Sequence, residues 1–334
     1  MSKNIEVCFI TSVIDDNLAS YRIWIKDLAE YFNELGIKAY INKLPNNIKS
    51  NVAIILSKSD INKCEDYKKN YPNNLIGIIN PEGDILYNAD FIIVGSIEEK
   101  DSLAMNKNVF MFPLIENKYR NITQKIHTDK DKIVIGIHGS YTHLSKVDPH
   151  LKIALEEFSK NVKIILKIIS NPMPKKWLNG RPKIHNIEIL DYNFTTFSND
   201  LLNCDIGLVP NITDSTPLFK KTSKSRGLYN SDYFFRMKNK SNSGRMFVFI
   251  QHGIPVIADF TPSNLHILGN PDNGFAVFHK DGWLNALKEL SSAKKRNIIS
   301  RNALKEFNRL YDPTKWATNL ISNLQKIEKY VNNN

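Results

Sequence analysis

Several broad classes are excluded by what this chain has little of. Only three of its 334 residues are cysteine, Cys8, Cys64 and Cys204. They lie far apart and match no metal-ligand spacing, so neither a zinc site nor a disulfide framework is expected, and the three thiols are assigned to cores. No apolar run approaches the roughly 20 residues that cross a bilayer. The opening residues MSKNIEVCFITS pass from a short polar start into a strand-like run without a cleavage site, which gives a cytoplasmic expectation. No GxGxxG is present, which argues against a dinucleotide dehydrogenase, and there is no internal repeat or sustained heptad. Acidic residues are in the minority, 34 against 45 Lys and Arg, for a formal net charge of +11. The partner is therefore expected to be anionic: nucleotide phosphates, anionic lipid head groups or nucleic acid. The chain is also rich in Lys, Asn and Ile, as an AT-rich genome would make it, and part of the lysine excess is then plain solvated surface.

What remains is an ordinary globular composition, 42% hydrophobic and 24% charged, in a chain long enough for two domains. Ile5 to Thr11 is a continuous apolar run of the kind a buried parallel strand shows. An amphipathic helix follows, from Tyr21 to a stop at Gly36, and then a strand over Ile37 to Ile41. That is a βαβ unit. Strands recur at Val52–Leu56, Leu75–Ile79, Phe91–Val94 and Asn108–Phe112. The stretch Glu116 to Lys132 is polar and without periodicity, and the pattern restarts at Ile133. This predicts an α/β chain of two doubly wound, parallel-sheet domains: residues 1–125, residues 126–315, and a helix over 316–334 with Trp316, Leu320 and Leu324 on its buried face.

Chemistry is concentrated at three places. The loop Ser12–Ser20 carries Asp15 and Asp16 at the carboxyl end of the first strand, where open α/β sheets put ligand contacts; helix capping or solvation is the plainer role for either. The turn His138-Gly139-Ser140 ends the strand that opens the second half, with a helix over Leu151–Phe158 beyond it, a setting suited to phosphate. The third place is the stretch Asp232–Asp259. It begins with Arg236, Lys238, Lys240, Asn242, Ser243, Gly244 and Arg245, continues as an apolar helix over Met246–Ile250, turns at Gly253-Ile254-Pro255 and ends in Val256-Ile257-Ala258. A glycine-containing polar loop feeding a helix start is an anion site by construction, because unpaired N–H groups and the helix dipole both favour negative charge. An ordinary helix, turn and buried strand is the bland alternative. His138, His143 and His252 lie in or beside these loops, and a structural role is the base expectation for each. A long basic segment, Asn211 to Tyr233 with Lys220, Lys221, Lys224 and Arg226, reads as a lid, a lipid contact or a solvated loop.

A basic residue, a two-turn helix, Gly-x-Pro-Val-Ile and then Pro262-Ser263 resembles the donor-binding segment of nucleotide-sugar glycosyltransferases of the GT-B fold, related to the retaining "group 1" enzymes. Asn273-Gly274-Phe275, followed by Trp283, Ala286 and Leu287, resembles the end of the same domain, and CDIGLVP (204–210) the strand before the donor site. The resemblance covers about Ile133 to Lys315 by motif and the first half by element order. It implies two Rossmann-like domains facing a cleft, with an acceptor side, a donor side and a last helix crossing back. It further implies a metal-independent, hexosyltransferase-like enzyme with no cofactor. The substrates would be a UDP or GDP sugar and a glycan or lipid-linked saccharide of bacterial surface polysaccharide synthesis. The work would be done in the cytoplasm at the inner face of the cell membrane and without nucleic acid, and the net positive charge with the basic segment Lys220–Arg226 adds the expectation of an anionic lipid surface there. Carried onto this chain, donor binding falls to Gly139, Ser140, Arg236, Lys238, Asn242, Ser243, Gly244, Arg245, Pro262 and Ser263. Asp15, Asp16 and His138 are the catalytic candidates. Two departures stand out: Gly139 is followed by Ser140 where many members have Arg, and the two glutamates many retaining members carry fall here on Lys240 and Val248. A nucleotide-sugar epimerase of the same fold and a basic nucleic-acid-binding protein are the alternatives. Against the last, the aromatics sit at core spacing rather than between cations.

Overall fold

The computed structural model describes residues 5–45, 51–81, 88–103, 108–140, 149–170, 181–211, 231–232, 237–238 and 242–331. The chain forms two units, one of residues 1–117 and 311–334, the other chiefly of residues 118–225 and 229–310.

In the first unit the apolar runs become strands β1 (Glu6–Ile10), β2 (Ala39–Ile41), β3 (Val52–Leu56), β4 (Leu75–Ile79), β5 (Phe91–Val94) and β6 (Val109–Met111). Every pairing is parallel, in the order β2-β1-β3-β4-β5-β6. All residues of β3 and β4 are buried, as a sheet covered on both faces requires. The glycine in β4 has a packing reason: a Cβ on Gly77 would lie 2.1 Å from the Phe91 ring. The helix after β1, here α1, is continuous but not uniform; Ala19–Tyr21 leads into a π-helical turn, Arg22–Asp27, and then into Leu28–Glu34. Such turns are rare and carry one extra residue, which re-aims the side chains that follow. Later come α2 (Cys64–Asn70) and α3 (Ile97–Ser102). The last helix of the chain, Pro313–Val331, buries Ala317, Leu320, Ile321, Leu324 and Ile327 in the same core as Phe9, Ile23 and Phe32. Their spacing of three and four residues is a helical stripe.

In the second unit β7 (Ile133–Gly139), β8 (Ile164–Ser170), β9 (Ile187–Asp191), β10 (Ile206–Val209), β13 (Val256–Asp259) and β14 (Phe275–Val277) form a parallel sheet in the order β14-β13-β10-β7-β8-β9. Between β10 and β13 the short strands β11 (Ser231–Asp232) and β12 (Met237–Lys238) pair antiparallel. Among the described residues the helices of this unit are α4 (Pro149–Phe158), α5 (Phe197–Leu202), α6 (Gly244–Gln251), α7 (Pro262–Leu268), α8 (Lys280–Glu289) and α9 (Ala293–Leu310).

The first unit runs to Asn117, and the polar connector after it bonds into the second. Lys125 Nζ donates to the Leu202 and Cys204 carbonyls and pairs with Asp205 at 3.1 Å, and His127 Nε2 lies 2.9 Å from Gly253 O. Pro262 and Ser263 open α7, since Thr261 caps that helix through Asn264 N–H and Pro262 stands in its first turn.

Candidate functional site

In the second unit strand order reverses between β7 and β10, where doubly wound sheets open a crevice at their carboxyl edge. Arg245 sits there, in the first turn of α6. Its helix start is held by neighbours: Asn242 Oδ1 accepts from Gly244 N–H at 3.2 Å, and Ser243 Oγ donates to Asn264 Oδ1 at 3.0 Å. The first helical bond runs from Phe247 N–H to Ser243 O, so the N–H groups of Arg245 and Met246 precede the ladder. The guanidinium reaches back to the end of β10, where Nη2 donates to Pro210 O at 2.8 Å and to Asn211 Oδ1. Asp259, at the end of β13, accepts from Asn211 N–H and lends Arg245 an opposite charge. Burial lowers the Arg245 pKa to about 10, which leaves it cationic at pH 7. Among the described residues its buried Nη1 has no hydrogen-bond partner, and neither has Asn211 Nδ2. Two buried donors left over beside a helix start demand acceptors, because an unpaired buried polar group costs several times what a paired one returns.

His138 ends β7 beneath this cluster. Its ring stands edge-on to Phe249 and Phe197, 4.8 and 5.1 Å between centroids, and its Nε2 is 3.1 Å from the Arg245 carbonyl oxygen. Burial and the Arg245 charge push its pKa down to about 3, so the ring is neutral and ties β7 to the start of α6. Gly139 follows with φ +123°, a conformation side chains rarely allow, and Ser140 is exposed. His252, at the far end of α6, is buried and held at Val248 O (2.7 Å) and Ser198 Oγ (2.9 Å), with its pKa lowered to about 4 by burial. Of the remaining candidates, Pro262 and Ser263 are in the first turn of α7, whose Asn264 amide donates to Asp259 O at 2.9 Å. Arg236, Lys240, His143 and the basic run Lys220–Arg226 lie outside the described residues, and of Lys238 only the backbone, in β12, is described. Val248 is buried in the core side of α6.

The first unit has its own cavity, of about 300 Å³, at the carboxyl ends of β1, β3 and β4. Its polar lining is Thr11, Ser20, Ser57, Lys58, Ser59 and Asn80; Tyr21, Trp24, Ile25, Val13 and Leu18 supply an apolar and aromatic wall. The π-helical turn is what delivers Trp24 and Ile25 to this wall. Asp60 organises the polar side from below, accepting from Ser12 N–H (2.6 Å), Ser59 Oγ (2.7 Å), Ser57 Oγ (3.2 Å) and Lys63 Nζ (2.6 Å). Burial works to raise its pKa, but those donors prevail and hold it at about 2. Ser57 Oγ and Ser59 Oγ also lie 2.7 Å apart, so the two hydroxyl protons are spent on Asp60 and on this mutual bond, and the oxygens keep lone pairs for the cavity. Trp24 Nε1 is buried without an acceptor among the described residues.

Asp15 and Asp16 follow β1 on the loop that runs to this cavity. Asp15 Oδ1 accepts both Asn17 N–H (2.9 Å) and Asn17 Nδ2 (3.1 Å). Asp16 places both carboxylate oxygens 3.2 Å from Lys26 Nζ, and its carbonyl accepts from Arg22 Nη1. Sequence reasoning missed Asn211, Asp259, Asp60 and the serine pair. The signal available was a small polar residue directly after an apolar strand, as in VAIIL-Ser57 and LIGII-Asn80. Among the described residues no group of three or more His, Cys, Asp or Glu side chains is placed to hold a metal ion. No described helix is long and apolar enough to cross a membrane.

No protein-family model matches the sequence, and no curated protein matches it. Solved structures match it in architecture. A glycosyltransferase from Rickettsia africae has a TM-score of 0.59 at 10% identity over 97% of this chain and 98% of that one. Sucrose-phosphate synthase from Thermosynechococcus elongatus gives 0.55 at 12% identity, over 95% and 97%. A mutant of S. aureus TarM, in complex with fondaparinux, alpha-GlcNAc-glycerol and UDP, gives 0.54 at 11% identity, over 89% of this chain. The chain spans 58% of the length of that TarM chain and 57% of another TarM structure. Likeness at this level of identity establishes architecture, and with two parallel six-stranded sheets and a C-terminal helix the architecture of this chain is GT-B, two Rossmann-like domains.

Proposed function

We propose that this protein is a glycosyltransferase that moves a hexosyl group from a nucleotide-diphosphate sugar, of UDP or GDP type, to a glycan or lipid-linked saccharide. The observation that carries the proposal is Arg245: a half-buried cation at a helix start whose buried Nη1, like Asn211 Nδ2 beside it, has no partner among the described residues. A diphosphate would meet these donors at once, through Nη1 of the guanidinium, the Asn211 Nδ2 and the first N–H groups of α6. In transfer the negative charge grows on the leaving diphosphate, and preorganised donors in a dry pocket stabilise it without a resident metal ion. Gly139 and Ser140 close the other side of the phosphate site, and Lys238, Arg236, Pro262 and Ser263 complete the donor set. His138, neutral and bonded to the Arg245 carbonyl, positions α6 rather than moving a proton.

The first-unit cavity is the acceptor site in this reading. An aromatic wall opposite lone-pair-bearing hydroxyls suits a saccharide, whose faces are apolar and whose edges carry O–H donors. Asp15 is assigned as the base: Asp16 shares both oxygens with Lys26, whereas the Asp15 bonds to Asn17 use Oδ1. Work at the inner face of the cell membrane follows from an acceptor carried on lipid.

Thermal unfolding with UDP, GDP, CMP and a short oligonucleotide tests the proposal. A rise with one nucleotide diphosphate, followed by sugar transfer from the corresponding donor with EDTA present, supports it. A rise with the oligonucleotide alone would replace it with a nucleic-acid role. Release of an epimerised sugar without any acceptor would make the enzyme an epimerase.

A further inference from the structure

Helix α9 carries six Lys and Arg against a single carboxylate, Glu306, so these 18 residues hold five of the eleven excess positive charges of the chain. The charges are sorted by face. Arg296 is buried and spends its guanidinium on the carbonyls of Leu290, Ser291 and Thr128, at 2.8 to 3.0 Å. Ala293, Ile299, Ala303 and Phe307 are buried around it. Diametrically opposite, at about 100° per residue, Lys294, Ile298, Arg301, Lys305 and Arg309 fall within an arc of about 80°. All five are exposed. Arg309 is held by Glu306 at 2.6 Å, but Lys294, Arg301 and Lys305 form no ion pair among the described residues. Ile298, 42% exposed, stands between them with nothing on its own helix to cover it.

We propose that this outer face of α9 is a docking surface for an anionic lipid bilayer. Three uncompensated cations in one line, on a convex helix and with no carboxylate on the arc, match a plane of anionic head groups. A branched apolar side chain among them is what an interfacial helix sets at the acyl boundary. Nucleic acid fits less well, because the face presents no aromatic platform and no concave groove to follow a phosphate backbone. The surface is separate from the Arg245 site, so this proposal and the donor reading stand or fall independently.

The test is sedimentation of the full chain with phosphatidylcholine vesicles, with and without phosphatidylglycerol, at low and high salt. Binding is expected only to the anionic vesicles and only at low salt, since each cation contributes about fivefold in affinity near such a surface. The triple variant Lys294→Glu, Arg301→Glu, Lys305→Glu is expected to lose about 100-fold or more. Its unfolding temperature and nucleotide affinity should match those of the wild type. Ile298→Ser should weaken binding severalfold. Failure of the wild type to sediment with anionic vesicles at low salt overturns the proposal, as does a triple variant that binds as well as the wild type. Tighter binding of a DNA duplex through the same three residues would also overturn it and give the face to nucleic acid.

Discussion

The two units use the same sheet geometry for opposite electrostatic ends. Each sets its polar residues at the carboxyl edge of a parallel sheet, beside the point where strand order reverses. In the second unit that edge carries the half-buried Arg245 guanidinium, which the Pro210 carbonyl and the Asn211 side chain satisfy in part and which, among the described residues, leaves Nη1 over. In the first unit the buried charge, Asp60, is consumed within the protein by serine hydroxyls, a backbone N–H and Lys63, and the cavity is lined by hydroxyls, the Asn80 amide and Lys58 beside an aromatic wall. A fold thus fixes where a ligand goes, while the sign and completeness of the buried charge fix what kind of ligand it is.

The sharpest way to break this contrast is Arg245→Ala. Nucleotide-diphosphate affinity should fall at least about 100-fold by calorimetry, roughly 3 kcal/mol, because a desolvated cation is lost from its anion. Arg245→Lys keeps the charge without the fork and should cost about tenfold. If both variants bind as the wild type does, the second-unit edge is not a phosphate site. Next in size is Asp15→Asn, expected to lower kcat about 100-fold with nucleotide affinity unchanged, while Asp16→Asn stays within a few-fold. An equal fall for both would place the base elsewhere.

Stability against pH should separate the units by sign. In the second unit His138 and His252 have folded pKa values near 3 and 4, below the ordinary histidine value. The unfolded chain therefore binds protons first as pH falls below about 6.5, and this unit loses stability toward acid, at most about 1.4 kcal/mol per pH unit for each group. In the first unit burial raises Asp27 to about 7, with Glu116 and Glu30 adding to the rise against the Asn117 N–H and Arg22. The folded state then holds a proton that the unfolded chain releases above about pH 4, so this unit loses stability as pH rises from there through 7. Unit-specific hydrogen exchange at pH 5 and pH 8 reads this directly. Asp27→Asn should remove the loss at pH 8, and a first unit equally stable at both values would refute the assignment. The smallest effect is expected from Ser59→Ala, about fivefold in acceptor KM for one hydrogen bond of about 1 kcal/mol, with donor affinity untouched.

Much of the architecture was legible because burial on both faces leaves a mark on sequence. VAIIL, LIGII and FIIV are runs that only a covered parallel sheet accommodates, and the strands fall on them residue for residue. The stop at Gly36, with φ +78°, and the start at Pro313 were equally plain, since backbone restrictions belong to single residue types. The π-helical turn at Arg22–Asp27 was not, because one inserted residue inside an amphipathic helix blurs the period without breaking it. Arg245 could be picked out beside its helix start, but its partners could not. Asn211 and Asp259 stand 34 and 14 positions away along the chain, and only the pairing of β10 with β13 brings them together.

By itself, then, the sequence determined the alternation of buried strand and amphipathic helix, the position of the glycine-containing turn at the start of α6 and the excess of positive charge. All three are local properties, of burial period, of backbone freedom and of composition. Tertiary structure decided which charges are spent and which are left over. Asp205 is held well below the usual carboxylate range: burial opposes ionisation, but His127, the Val134 N–H and Lys125 outweigh it. Arg296 spends both Nη atoms on carbonyls and leaves only Nε over, and Asp60 is spent on hydroxyls, a backbone N–H and Lys63. Among the described residues Arg245 keeps Nη1 unused, and Lys294, Arg301 and Lys305 on the outer face of α9 form no ion pair. Whether a charge is matched depends on groups brought within a few ångströms from distant parts of the chain, and in a low-dielectric interior that matching, rather than the residue type, sets what the site can bind.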